Sequence, residues 1–355
     1  MQAQNAGENN GVIAANNQGI IVVRQEGFGY VETKAMCRDL VQEEMAKYKS
    51  EAQAEANRRM DELVEEFTRK LSEKQVTDQQ ALAEFRNPSM QYDYFEAQKA
   101  YIKAGTPELC AILSDILVRR AEETSRSLLQ IALGEAIHVA PKLIPSQMAT
   151  LALVFNLNYT VLRSVTNHEK LADHLKTVIL PLFRYGVSLK ESEFQHLNYA
   201  GCSQFETFSR KLPEQIRIAY TGLFMKGFTG EELPPTKQGG SFLEQYPNLF
   251  IPCLNDQTKI QINALEKNDL EEDIKVQGGD RDDQATLVSL FEKNQMNDEE
   301  TMTLILQLVP EMQELSEYWE NSAISRLALT SVGIVIGAQY GRMITGQEYD
   351  LKIWI

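Results

Sequence analysis

The segment Met148-Ala-Thr-Leu-Ala-Leu-Val-Phe-Asn-Leu157 decides the fold, because it is apolar on almost every side when it is placed on a helix. Such a pattern is typical of a helix that other helices cover all round. Helices are predicted around it at about 107–122, 124–140, 146–164 and 168–186. Their short connections favour antiparallel packing. We therefore predict a mainly α-helical protein, a multi-helix bundle with this segment at its centre.

A long amphipathic helix is predicted before the bundle, over residues 30–75. The stretch 31–74 contains no Pro or Gly and is rich in strong helix formers. Apolar residues recur every three or four positions and share one stripe: Met45, Tyr48, Ala52, Ala56, Met60, Leu63, Phe67 and Leu71. This stripe fits either packing on the core or a seam between helices, since the central alanines allow close approach but specify no partner.

Residues 1–26 are predicted to form a tail and a short β-hairpin arm. Two β-branched runs flank Asn16-Asn17-Gln18-Gly19, and Asn and Gly suit tight hairpin turns. An isolated hairpin is marginal in water, and unpaired strand edges bind other strands. We therefore expect arms of several copies to pair. The predicted oligomerisation residues of the arm are Val12, Ile13, Ile20, Ile21, Val22 and Val23.

The remaining chain is predicted to hold three regions. Residues 88–232 form a helical core domain, residues 233–296 an irregular and acidic connecting region, and residues 297–355 helices that pack on the core. Within the last region a helix is expected at about 299–320. The C-terminal residues 349–355 alternate polar and apolar side chains, which predicts a short final strand.

Three glycines at intervals of four residues form the most specific pattern of the chain: Gly333, Gly337 and Gly341. On a helix they share one face and let a neighbouring backbone approach closely. This face fits close packing inside the core of one chain, contact between subunits, or conditional insertion into a membrane. A strand over 332–336 also remains open, because the residues there are β-branched.

Composition excludes several classes of function. The 355 residues carry a net charge of −15, which disfavours nucleic acid as a partner because phosphate binding depends on Lys and Arg. The four cysteines form no CxxC pair, so reduced thiols and a cytoplasmic location are expected. The longest apolar run, 327–341, spans about 22 Å as a helix, short of the roughly 30 Å hydrocarbon core. A constitutive membrane span is therefore not expected.

Catalytic signals are weak. His168 and His174 are six residues apart, whereas HExxH zinc sites need four. His196 lies near Cys202, but a loop with a buried thiol explains that pair equally well. A nuclease interpretation uses three further residues, which also fit a solvated helix face: Asp269, Asp273 and Lys275. We predict no catalytic, cofactor-binding or metal-binding residue and no cofactor, although an unrecognised hydrolase or nuclease stays open.

Four parts of the sequence together resemble an uncharacterised bacterial family of mainly helical proteins with an Asn/Gly-rich N-terminal β-arm. They are Asn9–Val23, Phe95-Glu-Ala-Gln-Lys-Ala-Tyr101, Ala140-Pro-Lys-Leu143, and Leu329–Gly337 with Asp350-Leu-Lys-Ile-Trp-Ile355. The likeness runs over most of the chain and implies no catalytic residues. Arms similar to this one also occur on bacterial conflict and antiphage proteins, which implies an association with defence.

The leading hypothesis is a homo-oligomeric interaction protein, a sensor or effector in bacterial antiphage defence, with a second protein as a trigger. The arm, the long helix and the glycine face each need a partner surface. One alternative is a membrane-disrupting effector that exposes residues 327–341 after a trigger.

Overall fold

The computed structural model describes residues 12–16, 19–23, 30–74, 83–188, 190–236 and 239–355. These residues are mainly helical and include three two-stranded antiparallel sheets. The predicted mainly α-helical fold class is thereby confirmed. The chain divides into two compact units, residues 1–59 and residues 60–355.

The first unit contains a hairpin and most of a long helix. Strand β1 (Val12–Asn16) pairs with β2 (Gly19–Val23), with Val12 opposite Val23 and Asn16 opposite Gly19. Among the described residues, β1 and β2 pair only with each other. Helix α1 (Tyr30–Glu73) has 44 residues and is about 66 Å long at 1.5 Å per residue. It crosses the boundary between the two units.

Helices build most of the second unit. Its core helices are α2 (Pro88–Ala104), α3 (Pro107–Glu122), α4 (Leu128–Val139), α5 (Pro145–Asn158), α6 (His168–His174), α7 (Leu180–Arg184), α8 (Glu191–Tyr199) and α9 (Leu212–Ala219). Three further helices follow later in the chain, with α10 at Phe242–Gln245, α11 at Lys267–Val276 and α12 at Arg281–Lys293. The last three are α13 (Asp298–Leu308), α14 (Met312–Asn321) and α15 (Ser331–Thr345). Strand β3 (Ser203–Phe205) pairs with β6 (Leu327–Leu329), and β4 (Phe250–Pro252) pairs with β5 (Ile260–Ile262).

The centre of the core is the pair α5 and α15. Every residue from 147 to 157 of α5 is buried, as the apolar sequence of this helix predicts. Prolines at 107 and 145 start α3 and α5, where the missing N–H costs nothing because the first N–H groups of a helix have no partner inside it.

The C-terminal end of α1 packs on this core. Leu63 and Phe67 are 0% and 4% exposed. Next to them, Lys70 is buried, and its ammonium lies 2.9 Å from a carboxylate oxygen of Asp115. Arg342 holds the other oxygen of Asp115 at 2.7 Å. Apolar contacts and a shared buried carboxylate therefore fix this part of α1.

Residues 225–295, which we call the insert, form a lobe with its own apolar core. Its buried side chains include Phe228, Phe242, Tyr246 and Phe291. The chain enters and leaves the insert side by side, since Met225 and Gln295 form an antiparallel bridge and the N–H of Met296 donates to the carbonyl of Phe224 at 2.8 Å. The sequence predicted an irregular and acidic connecting region at 233–296, and the described residues there include helices α10, α11 and α12 and the strand pair β4 and β5.

Two local predictions are wrong. Residues 351–353 form a 3-10 turn rather than a strand, because Asp350 caps the turn through the N–H of Lys352 and Leu351 is buried. The helix expected at about 299–320 is two helices, α13 and α14. Pro310 lies between them and cannot continue the hydrogen-bond ladder of a helix.

Candidate functional site

The predicted oligomerisation residues of the arm lie on β1 and β2. Val12 and Ile13 belong to β1, and the range 20–23 belongs to β2. Ile13 is opposite Val22 in the hairpin. The structure places these residues on paired strands, and their contact with other copies stays a prediction.

The three glycines lie on α15, inside the core of one chain. A Cβ atom added at Gly333 would lie 1.9 Å from the carbonyl oxygen of Cys202, and one at Gly337 would lie 2.7 Å from that of Leu151. Gly341 faces the amide of Asn156. The glycine face is therefore occupied by the chain itself, which matches the first of the three alternatives. Exposing the segment 327–341 would require the core to open.

The candidate nucleophile pair is not activated. Cys202 is completely buried, and this burial raises the pKa of its thiol to about 12. A reactive cysteine needs a thiolate, which a lowered pKa provides. The ring of His196 instead contacts the side-chain amide of Gln147 at 2.9 Å. Each side chain therefore has a packing or hydrogen-bonding role: Cys202 is a buried thiol, and His196 is bonded to Gln147.

The two histidines on α6 occupy separate sites. A ring nitrogen of His168 lies 3.0 Å from the carbonyl oxygen of Leu223. His174 is buried beside the ring of Tyr220, and desolvation lowers the pKa of His174 to about 4. Within the described ranges, no three His, Cys, Asp or Glu side chains are arranged to hold a metal ion.

The acidic candidates lie on α11 of the insert, and Asp269 lines a cleft between the insert and the core. Asp269 accepts a 2.9 Å hydrogen bond from the guanidinium of Arg163, and Glu266 lies 3.9 Å from the same group. Asp273 and Lys275 are exposed. Arg163 thus reaches from the core to the insert across the cleft.

This cleft, which we call the interlobe cleft, has a volume of about 420 Å³. That volume lies within the range of small-molecule sites, which occur preferentially between lobes. The wall on the core side contains Tyr159, Tyr349 and Trp354. A second cleft of about 300 Å³ shares Leu265 and Asp269 with it and continues along the insert.

We call Tyr159, Tyr349 and Trp354 the aromatic wall, and ring packing and hydrogen bonds connect it to the core. The rings of Tyr349 and Trp354 are nearly perpendicular, with centroids 6.0 Å apart, and each makes an edge contact with the buried ring of Phe155. The indole N–H of Trp354 donates to the carbonyl of Tyr159 at 2.8 Å. The hydroxyl of Tyr349 donates to Asn156 at 2.6 Å. The polar groups of Tyr349 and Trp354 are therefore satisfied within the protein.

Carboxylates outnumber cations in the lining of the interlobe cleft. The acidic side chains are those of Glu266, Asp269, Glu348 and Asp350, whereas Arg163 is the one basic side chain among the lining residues. Glu348 also pairs with Lys74 and Arg342, which lie outside the lining. The lining therefore carries a net negative charge.

Sequence reasoning considered Asp269 for a nuclease site or a solvated helix face, and it missed the aromatic wall. Tyr159 and Tyr349 are separated by most of the chain, and their approach depends on the packing of α5 against the C-terminal turn. The aromatic residues near the C terminus were the available signal, but their alternation indicated a strand.

A protein-family model matches residues 27–355 of the chain, and that family is uncharacterised. No curated protein and no solved structure matches the chain. Among the helices that the structure describes, none has both the length and the apolar character that a membrane span requires.

Proposed function

Because the chain belongs to this uncharacterised family over residues 27–355, we propose its function from geometry: it is a self-assembling interaction protein whose copies associate through residues 1–59. The observation that carries the proposal is the exposure of α1 in this unit. Every residue from 47 to 54 is exposed, over two full turns of helix. An isolated helix is marginal in water, so most helices depend on packing for their stability.

A second copy of the chain is the partner that fits this surface. Met45 and Tyr48 are 64% and 57% exposed and lie on the predicted stripe. Residues 30–59 contain six acidic and six basic side chains, although the whole chain has a net charge of −15. The segment is therefore locally neutral and can approach its own copy without the repulsion that the rest of the surface would produce. The hairpin supplies further strand edges for association.

The resemblance to arm-bearing bacterial antiphage proteins favours a role of such an assembly as a sensor or effector in defence. The membrane-disrupting alternative is less favoured, since Val335 and Ile336 are completely buried at the centre of the core.

Sedimentation velocity of the purified full chain at micromolar concentration tests the proposal. We expect a species larger than a monomer. Deletion of residues 1–26, or replacement of Val22 by Pro, which removes a backbone donor from the arm, should shift the protein to smaller species. Tyr48→Asp, a charge placed on the stripe, should do the same, whereas the control Ser50→Asp adds the same charge two residues away.

Circular dichroism should show parental helix content for the arm and Ser50 variants. A monomeric parent would contradict the proposal. If Tyr48→Asp and Ser50→Asp reduce assembly equally, the stripe is not the contact between copies. If the deletion variant keeps the full oligomeric mass, the arm is not part of that contact.

A further inference from the structure

We propose that the interlobe cleft binds a small organic cation of the alkylated-ammonium class, and that Arg163 occupies part of this site in the ligand-free protein. The proposal joins three observations: an aromatic wall, a carboxylate pair in the same lining, and a cationic side chain that already pairs with these carboxylates. It does not depend on self-assembly.

The aromatic wall favours a cation that carries alkyl groups. Tyr159, Tyr349 and Trp354 line the same cavity, and two of the rings meet at 79°. Aromatic rings attract cations through their quadrupole, with Trp the strongest, and boxes of such rings bind quaternary ammonium groups. Burial raises the pKa of Tyr159 and raises that of Tyr349 to about 12, so both hydroxyls stay neutral at physiological pH.

The carboxylates on the insert complete the site. Asp269 and Glu266 line the same cleft as the aromatic wall. Asp269 accepts a hydrogen bond from the guanidinium of Arg163, and Glu266 lies 3.9 Å from this group. This ion pair shows that the carboxylates of the insert accept an organic cation. Asp350 adds negative charge on the core side, whereas Glu348 is already paired with Lys74 and Arg342. The net charge of −15 raises the local concentration of cations further.

Arg163 is suited to exchange with a ligand. Its side chain is 75% exposed even though it is paired. Exposed ion pairs contribute little to stability because solvent screens them, so a ligand cation that also contacts the aromatic wall can replace the guanidinium. The ion pair between Arg163 and Asp269 also links the core to the insert. A ligand that replaces Arg163 would break this link between the two lobes.

Isothermal titration calorimetry of the full chain with choline tests the proposal, with its uncharged isostere 3,3-dimethylbutan-1-ol as the control. The two probes have the same shape, and only choline is charged. We expect choline to bind and the isostere to bind at least about tenfold more weakly, as cation–π attraction predicts. No binding of choline at millimolar concentration, or equal binding of the isostere, would overturn the proposal.

Two variants test the assigned residues in opposite directions. Arg163→Gln removes the internal competitor and should bind choline more tightly, whereas Asp269→Asn should bind it more weakly. Lys99→Gln is the matched control for lost positive charge, because Lys99 is exposed and pairs with Glu96 on α2. An affinity gain in Lys99→Gln equal to that in Arg163→Gln would refute the role of Arg163. A loss of affinity in Arg163→Gln would refute it as well.

A short peptide that contains trimethyl-lysine, titrated in the same way, distinguishes a free small molecule from a modified protein as the source of the cation. Tighter binding of choline supports a free small molecule. Tighter binding of the peptide than of choline overturns the assignment to a small molecule and leaves the chemistry of the cleft in place. Thermal melting of each variant at its working concentration confirms that it is folded.

Discussion

Adding a single methyl group to the glycine face of α15 should destabilise the protein in an order that the structure sets. A carbon and an oxygen atom in ordinary contact are roughly 3.5 Å apart. The Cβ atom of Gly333→Ala would lie 1.9 Å from a backbone oxygen, and that of Gly337→Ala 2.7 Å from another. The backbones would have to separate by roughly 1.6 Å and 0.8 Å. For Gly341→Ala the nearest atom is the side-chain amide of Asn156 at 3.1 Å, which needs to move by only a few tenths of an ångström.

These displacements translate into free energies of unfolding. Overpacking a core costs about 1–3 kcal/mol, and a gap of 0.5–1 Å removes roughly a quarter to a half of the dispersion energy of the atoms that part. Replacing Gly by Ala in a helix returns at most about 1 kcal/mol. We expect a net loss of about 3 kcal/mol for Gly333→Ala, about 2 kcal/mol for Gly337→Ala and less than about 1 kcal/mol for Gly341→Ala.

Urea denaturation followed by circular dichroism measures these losses. Gly134→Ala on α4 is the matched control, since its Cβ atom would lie 3.4 Å from the carboxylate of Asp93 and meets only ordinary contact. It should be neutral or slightly stabilising. If Gly333→Ala and Gly337→Ala unfold at the parental urea concentration, or if Gly341→Ala is the most damaging of the three, the close approach of α15 to its neighbours does not exist as described.

Three other predictions concern the core. Leu63→Asp and Phe67→Asp should each cost several kcal/mol, because both side chains are buried and a carboxylate there would have no partner; a parental melting temperature would show that this end of α1 is not docked. Arg120→Met should lose about 3 kcal/mol or more in urea denaturation, since the buried guanidinium pairs with Glu84 and Asp93 and its loss leaves their charges uncompensated. Burial lowers the pKa of His174 from 6.5 to about 4 and keeps its ring neutral. The folding stability that depends on this neutral ring is therefore present above pH 6.5 and is lost as the pH falls towards 4. That contribution is about 3 kcal/mol at most, and a His174→Phe variant should lose less stability than the parent between pH 6.5 and pH 4.

The bundle was predictable because its signals are local. The apolar segment 148–157 indicates burial on all sides, and prolines at 107 and 145 mark where helices begin. The stripe on α1 was also visible, but its two halves differ. Leu63 is buried whereas Met45 is exposed. The apolar pattern alone does not show at which residue of α1 the contact with the core ends.

The insert and its cleft were not predictable, because they depend on contacts between distant segments. The run 278–283 is acidic and rich in Gly, which indicates a loop, but Asp280 caps α12 through the N–H groups of Asp282 and Asp283. The aromatic wall joins Tyr159 to Trp354 across most of the chain. The glycine pattern allowed three interpretations, and the positions of Cys202 against Gly333 and of Leu151 against Gly337 distinguish them.

The chain enters and leaves the insert at adjacent positions, so the insert can be replaced without moving the two ends to which it is joined. Because the N–H of Met296 reaches the carbonyl of Phe224, a turn of a few residues can join the two ends without altering the helices of the core, and closing so short a loop costs little entropy. The lobe can therefore be shortened, enlarged or exchanged by design while its two ends stay side by side. Such changes would redesign one wall of the cleft and leave the aromatic wall in place.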